Sequence, residues 1–547
     1  MTILRRTLTA IALALPIATT ALGATGTAAE ERNLNELRNT VVNLLQGLVQ
    51  KGVLTKEQAE EMVKAAQDKA AADAVVSQQQ QEQRDKEEAG AVRVPYVPEI
   101  VKDEIRKEVA DQVAPQVADQ VIARAKTEAW GIPGALPDWI HRISFSGDMR
   151  VRSEGDLFPS GNAQNTYLNF NAVNAAGGVS KAGNNAFLNT SIDRYYLLAR
   201  LRLGLDALLS SGWSVGARLT TGTLNNPDST NQVLGQYGGR YTTNIDLAYL
   251  KWLGGTSTGR NQLTFWGGKF PNPFLSTDLV WDTDVTFEGA AAGYRFGLSG
   301  AHPQRYSLFL TGGAIPVQEV QLATNDKWMY AGQAGFDWQS DGGSRVRFGV
   351  AYYDFQHVVG QRNALESNLL DYTAVPYVQK GNTLFDIRNT ADQIANLFAL
   401  AADYHELDAL IVGDWRVSTH YRIGFYADYV KNLGYKEDEV SSRVGIQVAP
   451  RVKGYQSELS FGSAGMDHSG AWRGFVGYRY LQRDAVLDAF TDQDYHLGGT
   501  DARGYVVGAD VNFTDRVWLR ARYLPFDAID GAPLSIDVWQ LEVNARF

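Results

Sequence analysis

From residue 141 to the end of the chain, apolar and polar side chains alternate, stretch after stretch. In the first, Ile143, Phe145, Gly147, Met149 and Val151 alternate with Ser144, Ser146, Asp148, Arg150 and Arg152. Further on, Tyr195, Leu197, Ala199, Leu201 and Leu203 alternate with Arg194, Arg200 and Arg202. Near the end, Val517, Leu519, Ala521 and Tyr523 alternate with Arg516, Arg520 and Arg522. A period of two means strands with one apolar and one polar face. A soluble sandwich shows the same alternation, but three details favour a membrane barrel. The stretches are about 10 residues long, as a tilted bilayer crossing requires. Aromatics such as Trp213, Trp328, Trp338, Trp472, Tyr480, Tyr505 and Phe513 gather at the strand ends, where interfacial girdles form. Short turns (209–212, 340–343, 514–515) alternate with long polar loops (154–190, 223–240, 358–396), the pattern of a barrel with a short-turn and a long-loop side.

Sixteen segments carry the pattern: 142–153, 192–208, 212–222, 241–252, 261–270, 283–296, 304–312, 327–339, 344–357, 403–414, 417–430, 453–463, 471–483, 503–513, 516–525 and 535–547. Both ends of such a barrel belong on the periplasmic side, so the strand number is even. The segment 440–449 also alternates, but counting it would place the long stretch 484–502 on the short-turn side. It is therefore assigned to a loop hairpin. The expected fold is all-β and transmembrane: an antiparallel up-and-down β-barrel of about 16 strands, a size that leaves an aqueous channel. A small α-helical periplasmic segment precedes it.

The first 29 residues read as a secretory signal peptide, with Arg5 and Arg6 ahead of an apolar run from Leu8 to Leu22 and small residues up to Ala29. The run is short for a membrane anchor and is broken by Pro16. Residues 30–140 form a helical periplasmic segment and linker. Leu34, Leu37, Val41, Leu44, Leu45 and Leu48 mark one helix face, and Thr55 with Gln58 caps a second helix. Ile105, Val109, Val113, Val117 and Val121 make a narrow stripe interrupted by Pro115. That stripe suits either a coiled-coil seam between subunits or packing on its own hairpin or the barrel mouth. Trp130 and Trp139 flank the linker and suit a membrane interface.

Composition agrees. A mean hydropathy of -0.24 excludes a bundle of membrane helices, which needs apolar runs of about 20 residues, but not a barrel whose two faces average out. The 547 residues hold no cysteine, which excludes disulfides, thiolate metal sites and thiol nucleophiles. A net charge of -10 argues against nucleic acid as a partner.

The useful charge is local. Arg150, Arg152, Arg194, Arg200, Arg202, Arg218, Arg347, Arg422, Arg516, Arg520 and Arg522 fall on polar strand faces and are expected to line the lumen. Arginine stays protonated, so such a ladder lowers the barrier for anions. Between the fifth and sixth strands runs KFPNPFLSTDLVWDTDVTFEG, with Asp278, Asp282, Asp284 and Glu288. It either folds inward as a constriction whose acids oppose the arginine wall, or lies outside with its acids paired to neighbouring arginines. The seven histidines are scattered, and none sits in a catalytic pattern such as HExxH. Asp282 and Asp284 lack EF-hand spacing. No enzyme activity, cofactor or metal is expected. The chain ends WQLEVNARF, with Phe547 terminal on the apolar face; this resembles the signal read by the outer-membrane barrel assembly machinery.

Four stretches together carry a wider resemblance: VRVPYVPEIVKDEIRKEV, PDWIHRISFSGDMRVR, GGKFPNPFLSTDLVWDTDVTFEG and YRYLQRDAVLDAFTDQDYHLGGTDARGY. From about residue 92 to 547 the chain resembles the bacterial putative porin family with a helical N-terminal preamble. The resemblance implies a passive outer-membrane pore in a Gram-negative envelope, in contact with outer-membrane lipid and lipopolysaccharide. Three expectations follow: a homotrimeric diffusion porin for small hydrophilic solutes or ions, an anion- or phosphate-selective pore, or an anchor whose helical segment grips peptidoglycan.

Overall fold

The computed structural model describes Lys64 and residues 142–256, 260–298, 305–321, 324–391 and 394–547. The chain divides into two units, Met1–Gln120 and Val121–Phe547, and every described residue but Lys64 lies in the second. The export leader, the helices placed between 30 and 140 and the tryptophan-flanked linker thus lie outside the described residues, Lys64 apart.

Nineteen strands are described: β1 (Ile143–Leu157), β2 (Arg194–Leu208), β3 (Trp213–Thr220), β4 (Gln232–Val233), β5 (Asn244–Gly255), β6 (Asn261–Pro271), β7 (Thr286–Gly297), β8 (Tyr306–Gln318), β9 (Lys327–Gln339), β10 (Arg345–Gln356), β11 (Leu384–Asp386), β12 (Phe398–Leu400), β13 (His405–Arg416), β14 (Tyr421–Asn432), β15 (Lys453–Ser463), β16 (Trp472–Leu481), β17 (Ala502–Asn512), β18 (Val517–Ala528) and β19 (Ser535–Arg546). Sixteen of them close into one antiparallel barrel, β1 pairing with both β2 and β19. The two-residue β4 adds to β2, and β11 pairs with β12 inside a long loop. The sixteen barrel strands are those read from the alternation.

The closing seam depends on glycine. Phe547 donates its N–H to Gly147 O at 3.0 Å, and Gly147 donates back at 3.1 Å. A Cβ at Gly147 would lie 2.3 Å from the Phe547 ring, and one at Gly155 would lie 2.0 Å from the Trp539 indole nitrogen. The bare glycine backbone is what lets these rings lie flat across the seam.

One barrel end carries tight turns and the other carries long loops. Between β2 and β3, Trp213 N–H reaches Ser210 O at 2.9 Å over two residues of positive φ, Ser211 and Gly212. That is the turn whose twist matches a two-stranded ribbon. On the outer face large apolar side chains stay exposed, among them Phe145, Leu201, Leu310 and Leu459, as a lipid-facing wall requires. Aromatics cluster towards both rims: Trp213–Trp252–Phe265 and Trp338–Trp415 near the tight turns, Tyr455–Tyr478–Tyr505 and Tyr195–Trp539 near the long loops.

Three α-helices lie in the long loops: α1 (Phe170–Ala176), α2 (Val179–Ala182) and α3 (Glu437–Val444). The last corrects the hairpin expected at 440–449. Val440 and Val444 stand four residues apart, a helical spacing. Glu437, Asp438 and Glu439 stand in the first turn, Arg443 stands in the last, and Gly445 closes the helix in the left-handed region.

Candidate functional site

The interior of the barrel is divided along its axis. Towards the long loops it is filled by chain folded inward; towards the tight turns it is open among the described residues.

Residues 272–285, between β6 and β7, are one inward segment. Asn272 starts the turn, its side-chain oxygen accepting the Phe274 N–H at 2.9 Å. The Gln333 amide of β9 then clamps Leu275 from both sides, at 2.8 and 2.7 Å. Thr277 donates to Asp428 of β14, and Arg479 of β16 donates to Asp278 O at 3.2 Å. Trp281 sits edge-on to Phe287 (4.8 Å) and Tyr353 (5.3 Å) and against Phe490 (5.4 Å). Leu279 and Val280 are buried beside it, each contributing roughly 1.5–3 kcal/mol by leaving water. The segment ends on the opposite wall: Asp284 accepts from Arg202 at 3.0 Å, from Arg200 at 3.5 Å and from the Thr230 hydroxyl at 2.8 Å. It therefore bridges the lumen from β9 and β14 to β2.

Its carboxylates differ. Burial opposes ionisation of Asp284, but Arg200, Arg202 and Arg150 outweigh it and hold the group below the usual range. Asp282 lies among carboxylates, and burial, then Asp492 and Asp284, push it well up. Burial also raises Asp278, against the pull of Arg479 and Arg522. Of the three, Asp284 is the one whose carboxylate pairs with arginines of the wall. Glu288 is corrected: it is exposed on β7, on the face opposite buried Phe287, and pairs with Lys269 at 2.6 Å. The inner face of β7 is apolar here because it packs the inward segment, so the acid turns outward.

Residues 482–501, between β16 and β17, form a second inward segment, which the alternation gave no reason to place in the lumen. Asp494 accepts from Arg152 at 2.6 Å, from Arg522 at 2.5 Å and from Gln540 at 2.9 Å. Burial opposes its charge, yet Arg152 and Arg522 keep the carboxyl far below its ordinary value.

The arginine positions are distributed as follows. Arg150 donates to Asn231 and stands 3.9 Å from Glu542. Arg152, fully buried, also pairs with Glu154 (3.0 Å) and Glu542 (2.7 Å). Arg200 and Arg202 share Asp148 as well as Asp284. Arg218 pairs with Asp246 at 2.6 Å and Arg422 with Asp414 at 2.7 Å. Arg520 and Arg473 share Asp510, at 2.6 and 2.7 Å. Arg347 makes no ion pair among the described residues, its neighbour Arg345 taking Asp337 with Arg295. Arg194 is exposed at the long-loop rim, over the Tyr196 ring. Arg516 stands in the tight turn before β18, exposed at the mouth rather than on the strand wall. The acids Asp148, Asp510 and Glu542 and the arginines Arg473 and Arg479 were missed as a set. Their alternation was visible, but the cross-strand register that joins them was not.

The open end has two recesses. One of about 580 Å³ is lined by Arg345, Arg347, Arg422 and Arg473 against Asp414 and Glu458. The other, about 710 Å³, is lined by Arg200, Arg202, Arg218, Arg516 and Arg546 against Asp148, Asp467 and Asp515. Counted by side chains, each has two more arginines than carboxylates.

A closed 16-strand barrel, lipid-facing outside, charged within and narrowed by folded-in loops, defines a transmembrane channel. The chain belongs to the putative porin family, whose model matches residues 38–547, and it is an outer-membrane channel. Searching curated proteins gave no match. Among solved structures it is similar to the outer-membrane channel DcaP of Acinetobacter baumannii (12% identity, 74% of this chain and 97% of that one, TM-score 0.38). It is similar to Pseudomonas putida OprB (11% identity, 76% and 97%, TM-score 0.41) and to an anion-selective porin from Comamonas acidovorans (10% identity, 74% and 99%, TM-score 0.38).

Proposed function

We propose that the protein is a passive diffusion porin for small hydrophilic solutes that prefers anions. The long loops face outward, and the tight turns and the N-terminal segment face the periplasm. The observation that carries the preference is the arginine surplus in both recesses of the open end. Guanidinium groups on a narrow wall raise the local anion concentration and repel cations. Planar-bilayer recording in a tenfold KCl gradient tests it. The reversal potential should carry the sign for chloride, approaching a limit of about 59 mV for ideal selectivity. A potential of the cation sign overturns the preference.

Self-association, as a homotrimer, belongs to the same reading. Its support is the row of small outward residues Ala290, Ala292, Gly312, Ala314, Gly332 and Ala334 on adjacent strands, which would let two walls approach closely. Light scattering of the detergent-solubilised protein checks it; a monomer mass refutes it. Recognition by the assembly machinery rests on Phe547, exposed at the end of the last strand.

A further inference from the structure

Near the long-loop end lies a cavity of about 420 Å³ walled by several long loops and the ends of barrel strands. Its size is that of a small-molecule site. Val317, Val375, Tyr377, Leu487 and Phe490 give it an apolar wall, unlike the two charged recesses of the open end. Lys327, at the start of β9, also lines it and is buried, with 4% of its surface exposed.

The charges around this cavity are unequal in their compensation. Asp284 is held by Arg200 and Arg202, and Asp246 by Arg218. Lys269 on its edge is taken by Glu288. Asp488 accepts the Gln379 N–H at 3.4 Å, and burial pushes its carboxyl up to about 7. Lys327 stands apart. Its ammonium donates to the carbonyls of Ala374 at 2.8 Å and Thr373 at 3.5 Å, and no carboxylate among the described residues pairs with it. An ammonium has three protons to give, and a buried cation without a counter-ion is costly. A ligand anion would supply both the third acceptor and the missing charge.

We propose that this cavity is a binding site for organic carboxylates with an apolar body, the carboxylate meeting Lys327 and the body lying on the wall of Val317, Val375, Leu487 and Phe490. The proposal rests on the channel reading and deepens it. Inorganic anions use the charged recesses, whereas an amphipathic acid is first held here, next to the Asp284 bridge that narrows the lumen.

Single-channel recording of the purified full-length protein in KCl tests this, with sodium hexanoate added on the long-loop side. Hexanoate should interrupt the current in a concentration-dependent way. Acetate has the charge without the body. Each buried methylene is worth about fourfold in affinity, so acetate, four methylenes shorter, should need roughly 250-fold more. Hexanol has the body without the charge and should give no interruptions at the hexanoate concentration. Lys327→Met should weaken the hexanoate effect about tenfold or more. Val375→Trp, which fills the cavity and leaves the ammonium, should remove it. KCl steps report insertion of each variant. Steps without hexanoate interruptions in the unaltered protein overturn the site, as does equal interruption in Lys327→Met. Absence of KCl steps altogether overturns the channel reading instead.

Discussion

Replacing Asp494 by asparagine should loosen the second inward segment and enlarge the channel. The carboxylate makes the contacts that tie residues 482–501 to the arginines of β1 and β18, at 2.6 Å to Arg152 and 2.5 Å to Arg522. Removing one partner of a buried ion pair costs about 3–5 kcal/mol. Here the lower figure applies, because Arg152 keeps Glu154 and Glu542, and Arg522 keeps Glu542 at 3.5 Å. About 3 kcal/mol corresponds to roughly a hundredfold rise in the undocked population of the segment. Two readouts follow it. In single-channel records Asp494→Asn should show frequent excursions to a larger conductance. In limited proteolysis, trypsin should cut after Arg483 faster, in proportion to the open population when reclosing outpaces cleavage. Step size, excursion frequency and cleavage rate all within twofold of the unaltered protein would refute the reasoning.

The same segment should respond to pH through Asp492, which burial pushes up from 3.8 to about 8, with Asp494 and Asp278 adding to the rise and Arg522 opposing it. A folded value above the unfolded one means that the stabilisation is full below about pH 4 and is lost as pH rises to about 8. Excursions should therefore become more frequent from pH 5 to pH 8.5, and less steeply so in Asp492→Asn; a flat profile in the unaltered protein refutes this. Asp494 has the opposite sign: its support is present above the ordinary aspartate value and is lost only as pH falls through its depressed folded value, so Asp494 should cause no loosening at pH 5. Arg347→Glu combined with Arg422→Glu reverses the arginine surplus of the smaller recess, and the reversal potential should shift towards the cation sign; no shift would remove that recess from the conduction path. Glu288→Gln breaks only a half-exposed outer pair, worth about 0–1 kcal/mol, and should leave the reversal potential in place. Gly147→Leu puts a side chain where the Phe547 ring lies, and should lower the yield of heat-resistant folded barrel on gels; unaltered yield would show that the seam tolerates the clash.

The alternation made the wall legible because the lipid imposes it on every strand. The segments 327–339 and 453–463 coincide with β9 and β15. Where the pattern ended early, a neighbour had supplied the apolar surface. β1 runs on to Leu157, beyond residue 153, because Trp539 covers the bare outer face of Gly155. β8 runs on through Gly312 and Gly313 to Gln318, residues that carry no alternation to read. The interior was less legible, for two reasons. Arg152 meets Glu542 across 390 positions of sequence, and only closure of the barrel sets that register. Near the constriction the rule itself inverts. Phe287, Tyr353 and Phe355 face inward because they pack the folded-in chain, so at this level of β7 the polar residue, Glu288, is the outward one.

The shared carboxylates explain why so many arginines can stand on one wall. Neighbouring guanidiniums repel, and each acid placed between two of them relieves both at once. Asp510 does so for Arg473 and Arg520, and Asp337 for Arg295 and Arg345. These acids come from the strands and stay in place whatever the loops do. At the waist the acids come partly from loops: Asp284 for Arg200 and Arg202, Asp494 for Arg152 and Arg522. Docking of the loops and neutralisation of the waist are thus the same event. A segment that leaves the lumen widens it and also leaves guanidiniums short of counter-charge, at the depth where the field on a passing ion is strongest. Width and anion preference must then rise together in this barrel, which is the reverse of a simple pore, where widening dilutes the wall charge and selectivity falls.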